Sequence, residues 1–144
     1  MDPRRLTVVV PLLVVTGCGV ADLTDGTPSS IAVDTFSTAE STLRPPPQDG
    51  VNAVLDARGA PALLTFTVWG SSGCVRVPVS VAWSVADTVE VGTAPSRSTE
   101  CSAVYEPVSQ VVELPAGHGV DEVSTVEIDG EPVPFTVEEG RGRT

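Results

Sequence analysis

Residues 69–85 read WGSSGCVRVPVSVAWSV, and the second part of that run decides the fold. Val75, Val77, Val79, Val81, Trp83 and Val85 fall on odd positions, with Arg76, Pro78, Ser80, Ala82 and Ser84 between them. A two-residue repeat is the period of a strand with one buried face, because successive side chains point to opposite sides. Pro78 has no N–H to give to a ladder. The strand therefore begins after it or lies on a sheet edge.

Working outward, residues 51–56 (VNAVLD) and 62–69 (ALLTFTVW) read as two strands separated by a turn at residues 57–61. In the second, Leu64, Phe66 and Val68 share one face, while Leu63, Thr65, Thr67 and Trp69 share the other. The loop Gly70-Ser71-Ser72-Gly73 breaks that strand, with glycines suited to positive φ. Beyond residue 85, the segments 88–93, 101–106, 109–114, 122–128 and 132–137 read as further strands. Pro107 and Pro115 end two of them, and Asp129-Gly130 is a type I′ hairpin signal. About eight short strands with Gly/Pro turns and no credible helix predict an all-β fold, a small β-sandwich of Ig-like architecture. Only 27 positions separate Cys74 from Cys101, too few for a true Ig cysteine pair.

The chain has 144 residues, 41% of them apolar and 4% aromatic, which suits one Val-rich β-domain with appendages. It contains no lysine and eight arginines, and its net charge is −11. Without residues 1–17, which hold Asp2, Arg4 and Arg5, the balance is 6 basic against 18 acidic residues, or −12. Such a surface disfavours nucleic acid, whose phosphates require basic groups, and disfavours attraction to anionic headgroups. It suits solubility outside the cytoplasm.

Residues 1–17 read as an export signal: Arg4 and Arg5 precede an apolar run at residues 6–15 that is too short to span a bilayer. Val15-Thr16-Gly17-Cys18 resembles the lipobox of bacterial lipoproteins. The resemblance implies cleavage before Cys18 and diacylglyceryl transfer to its sulfur, so that the mature chain is anchored to a membrane without spanning it. Residues 18–50, rich in Thr, Ser, Asp and Pro and ending in Pro45-Pro46-Pro47, read as a tether. Its reach is on the order of 30 Å. Residues 51–137 form the expected domain and 138–144 a frayed tail. With Cys18 lipidated in an oxidising compartment, Cys74 and Cys101 are expected to pair.

The run Trp69-Gly70-Ser71-Ser72-Gly73-Cys74, with Pro78, Cys101 and Val111-Val112-Glu113-Leu114-Pro115, resembles a type of small secreted lipoprotein common in actinobacteria. Those proteins share a G-S-S-x-C stretch, a second cysteine and a V-x-L-P strand. The resemblance implies an extracytoplasmic, lipid-anchored β-domain and assigns no function.

Signatures of chemistry are sparse. The G-x-S-x-G elbow, phosphate loops, dinucleotide fingerprints and the EF-hand pattern are absent. One histidine and no C-x-x-C argue against a metal site, and no cofactor is expected. His118, between two glycines, would have to serve any catalytic triad. The expected function is therefore a non-catalytic binding or interaction module, with an envelope protein or glycan as its partner. The alternatives are a structural envelope lipoprotein without a discrete ligand and a hydrolase using His118. The candidate binding loop comprises Trp69, Ser71 and Ser72, where a flat aromatic surface adjoins hydroxyls beside a disulfide.

Overall fold

The computed structural model describes residues 29–37, 44–48, 50–71, 73–85 and 87–139. Cys18, the signal segment 1–17, Ser72 and residues 140–144 of the tail lie outside them. Nine strands are described: β1 Asp34–Ser37, β2 Asn52–Asp56, β3 Leu63–Ser71, β4 Val77–Val85, β5 Thr88–Ala94, β6 Tyr105–Glu113, β7 Thr125–Ile128, β8 Glu131–Val133 and β9 Phe135–Glu138. A single 3-10 turn, Val120–Glu122, precedes β7. The strands form two sheets, β1-β6-β3-β2-β9 and β4-β5-β7-β8. The chain is a small disulfide-closed β-sandwich, as the alternation predicts.

The core lies between the inner faces. Ala53, Leu55, Leu64, Phe66 and Val112 of the larger sheet meet Val89, Val91, Val126 and Ile128 of the smaller one. Val68, Val81 and Trp83 pack against this cluster, on the faces that the two-residue period assigns them. Leu64, Phe66, Val89, Val91 and Val126 are wholly buried. Each contributes about 1.5–3 kcal/mol by removal from water. The period fails at Pro78, wholly buried among the positions read as outward, and at Val85, which is 60% exposed. A register shift between Trp83 and Val85 turns that side chain out of step. A second shift follows Pro78 on β4, the edge strand, where the missing donor is tolerated.

Four expectations are corrected. First, Pro107 does not divide residues 101–114 into two strands, because β6 runs through it from Tyr105 to Glu113. The Leu114 amide donates to Ala62 O, while Val111 O, on the other side of the strand, accepts from Val33 N. Odd residues of β6 thus turn their backbone groups away from β3, and the missing N–H of Pro107 leaves the β3 ladder intact. Second, residues 132–137 are not one strand. Pro134 marks a crossing from β8 in one sheet to β9 in the other, where β9 runs parallel to β2. Third, the strand expected at 122–128 is confined to Thr125–Ile128.

Fourth, the stretch read as tether contains structure. β1 pairs antiparallel with β6, from Asp34 opposite Val111 to Ser37 opposite Val108. Ile31 N donates to Pro78 O of the smaller sheet at 2.9 Å, and Val33 N to Val111 O of the larger at 2.8 Å. Residues 31–37 therefore close one side of the sandwich. The sequence DTFS has no apolar period, because backbone bonds carry this strand and not a buried face.

Asp129 and Gly130 both have positive φ, 53° and 80°, as the type I′ reading requires. The Asp129 carboxylate accepts from Thr93 N at 2.7 Å and Thr93 Oγ1 at 2.6 Å, which fixes the turn to β5. A second carboxylate anchors the β4–β5 turn: Asp87 accepts from Ser124 Oγ at 2.6 Å. That hydrogen bond holds the Asp87 carboxyl below its ordinary value. A carboxyl depressed on folding stabilises the fold above its unfolded pKa, ~3.9, and that contribution is lost as pH falls through the lower folded value. Ser124→Ala should therefore raise the Asp87 pKa toward the ordinary value, as read from its side-chain carbonyl resonance. An unchanged titration would mean that the hydroxyl does not make this bond in solution.

Candidate functional site

Two of the connections between sheets leave the same end of the sandwich. Residues 72–76 lead from β3 into β4, and residues 95–104 lead from β5 into β6. Cys74 lies on the first and Cys101 on the second, and their disulfide spans Cα atoms 5.1 Å apart. The bond ties both crossovers together and closes the β4–β5 hairpin, as expected from the sequence.

The glycines of the candidate loop have distinct tasks. A side chain at Gly70 would meet Val75 Cγ2 at 3.1 Å, so glycine allows the buried Val75 to pack there. Gly73 has φ +89°, and a Cβ on it would lie 2.7 Å from Glu100 O. Both its conformation and its closeness to the opposing crossover require glycine. The Ser71 hydroxyl donates to Ser102 O, and Cys74 N donates to Ser71 O at 2.8 Å. Ser71, read as a binding residue, thus ties one crossover to the other.

Trp69 lies on the outer face of the larger sheet, half-buried. Its ring stacks on Tyr105 with centroids 5.8 Å apart and planes at 27°. Tyr105 sits opposite Ser71 in the β3–β6 register and is 51% exposed, and the adjacent Val104 is 57% exposed. The register thus assembles an aromatic pair with an apolar neighbour at the surface, beside the disulfide. Tyr105 and Val104 are additions to the candidate site. Tyr105 falls in the strand expected at residues 101–106, but its place opposite Ser71 follows only from the register of β6 with β3 through Pro107.

A further segment crosses the same face. Residues 44–48 run over the outer side of β2 and β3, with Pro46 buried and Pro45 and Pro47 exposed. Trp69 Nε1 donates to Pro46 O at 3.2 Å, and Asn52 Nδ2 donates to Arg44 O at 3.0 Å. Asn52 is opposite Thr67, so it stands diagonally across from Trp69 on the same face. An open groove of about 780 Å³ lies between this strap and the β2–β9 edge, lined by Val51, Val54, Phe135 and Thr136 among others. Beneath the same face, Thr67 and Ser109 share a buried hydroxyl–hydroxyl hydrogen bond of 2.8 Å.

His118 is elsewhere. Its ring packs against Trp83 at 4.9 Å and Nδ1 lies 3.3 Å from Glu122 Oε2. Trp83 Nε1 in turn donates to Pro115 O at 2.9 Å. Among the described residues, the hydrogen bonds of His118 include no serine, threonine or cysteine nucleophile, and no group of three potential metal ligands occurs. No family model, curated protein or solved structure matches this chain.

Proposed function

We propose that this chain is a membrane-anchored extracytoplasmic lipoprotein whose β-sandwich serves as a non-catalytic binding module, of the actinobacterial type that its cysteine and V-x-L-P motifs resemble. The observation that supports binding is the Trp69–Tyr105 stack, with exposed Val104, at the disulfide-tied end of the sheet. Aromatic rings held by a rigid scaffold offer contact area at low entropic cost, which is the economy a recognition surface uses. The partner is an envelope protein or glycan.

The test is capture from intact envelope by the full anchored protein, compared with Tyr105→Ala. The reading expects specific partners with the former and a marked loss with the latter. Identical recovery from both would remove the site. The anchor has its own test. Two acyl chains, each methylene contributing ~0.8 kcal/mol, hold a protein stably at a bilayer. Cys18→Ser should shift the protein from the detergent phase to the aqueous phase on phase separation. Unchanged partitioning would end the lipoprotein reading.

A further inference from the structure

Arg44, Pro45 and Pro46 each precede a proline, which disfavours helical backbone at all three and favours the extended polyproline conformation. That conformation has no internal hydrogen bonds, so its carbonyls are open to outside donors. Two side chains of the sheet supply them: Asn52 to the carbonyl of residue 44 and Trp69 to that of residue 46. The buried ring of Pro46 lies between two exposed prolines. An aromatic surface with an indole N–H, together with an amide that reads a neighbouring carbonyl, is the chemistry by which proline-rich ligands are recognised. Here the ligand is the chain itself.

We propose that the outer face of β2 and β3, centred on Asn52 and Trp69, is a binding site for proline-rich extended peptide. Residues 44–47 fill it in cis, and a proline-rich segment of a partner exchanges with them. The proposal rests on the binding-module reading and names that module's ligand class. Among the described residues, two side-chain donors, one buried proline ring and the turn closed by Gly50 N to Pro47 O at 2.8 Å hold the strap. An open groove of about 780 Å³ lies alongside it. A tethered strap competes at an effective concentration of order millimolar, so exchange in trans requires either abundance or a better sequence.

The probe is a synthetic peptide, Leu-Arg-Pro-Pro-Pro-Gln, titrated into the full chain carrying Pro45→Ser, Pro46→Ser and Pro47→Ser. The Trp69 indole N–H resonance is followed, assigned with Trp69→Phe. Saturable shifts are expected, weakened about fivefold by Asn52→Ala and absent with a peptide whose prolines are alanine. The unaltered chain should need roughly tenfold more peptide, since its strap competes. No saturable shift at millimolar peptide, or an equal response to the alanine peptide, overturns the proposal. If the triple variant does not fold, the unaltered chain decides: an indole resonance unmoved by tens of millimolar peptide rejects exchange. Envelope capture that ignores both the peptide and Asn52→Ala overturns this inference yet leaves the binding module standing. Absence of any captured partner sinks the module, while the titration still answers for the site.

Discussion

Replacing both Cys74 and Cys101 with alanine should lower the stability of the domain by about 3.5 kcal/mol, from the loop-closure entropy returned to the unfolded chain. The two cysteines are 27 residues apart, and a bond between them removes the loop-closure entropy of that segment from the unfolded chain. For a domain of this size the loss corresponds to a fall in Tm of roughly 15–25 °C. The position of the bond adds to its weight. It joins the only connections that carry the chain into β4 and out of β5. Without it, the hairpin is attached through the register of β5 with β7 and through the core contacts of Val89 and Val91. Thermal unfolding of the double variant, and of the native protein with and without reductant, measures the effect. A double variant that melts within a few degrees of the native protein would show that packing alone sets the stability. Intact mass after alkylation of unfolded, non-reduced protein checks the bond directly, since two alkylated thiols would contradict it.

The sandwich was legible where burial is one-sided. Residues 81–84 and 63–68 alternate because one face of each strand meets the core, and Asp129-Gly130 reads as a turn because few residues accept two positive φ angles in succession. Legibility ended where backbone geometry decides the outcome without a side-chain period. β1 is four residues of DTFS held by the edge of β6. Pro107 reads as a stop, and its effect depends on which side of β6 its nitrogen faces, a matter of register that local sequence does not encode. Pro134 lies in an unbroken apolar run, yet the chain changes sheets there. Gln110 shows the same limit in the core. It is wholly buried on the face that also carries Val112, and its Nε2 donates to Arg76 O at 2.8 Å. Its polarity has meaning only once the β3–β4 crossover lies over it.

The candidate site follows the same division. Trp69 and the disulfide were visible as residues. Tyr105, Val104 and the docked strap were not, because each reaches Trp69 through pairing or through a segment read as tether. Ser71 looked available because serines in glycine loops often are, but the opposing crossover supplies an acceptor for its hydroxyl. The polyproline run is legible as extended chain and not as a bound one. Docking requires Asn52 and Trp69 to share a face, and that follows from the pairing of Asn52 with Thr67.

Trp69→Ala should destabilise the domain by about 2–3 kcal/mol and also release the strap. A fully buried tryptophan truncated to alanine costs about 3–5 kcal/mol, and Trp69 is half-buried. Its losses are the ring stack with Tyr105, worth about 0.5–1.5 kcal/mol, the hydrogen bond to Pro46 O, about 1 kcal/mol, and part of its buried area. A fall in stability at Trp69 therefore does not separate packing from recognition, since this indole both stacks on Tyr105 and holds the strap through Pro46 O. Tyr105 separates them. With half its surface in solvent, Tyr105→Ala should cost less than Trp69→Ala, about 1–2 kcal/mol from the stack and the covered part of the ring, while removing the exposed half of the aromatic surface. Chemical denaturation and partner capture, measured on both variants, give the decisive pair of numbers. Capture lost with Tyr105→Ala at nearly native stability places recognition on the aromatic pair. Capture retained with Tyr105→Ala and lost only in proportion to unfolding with Trp69→Ala would make the pair a packing device and nothing more.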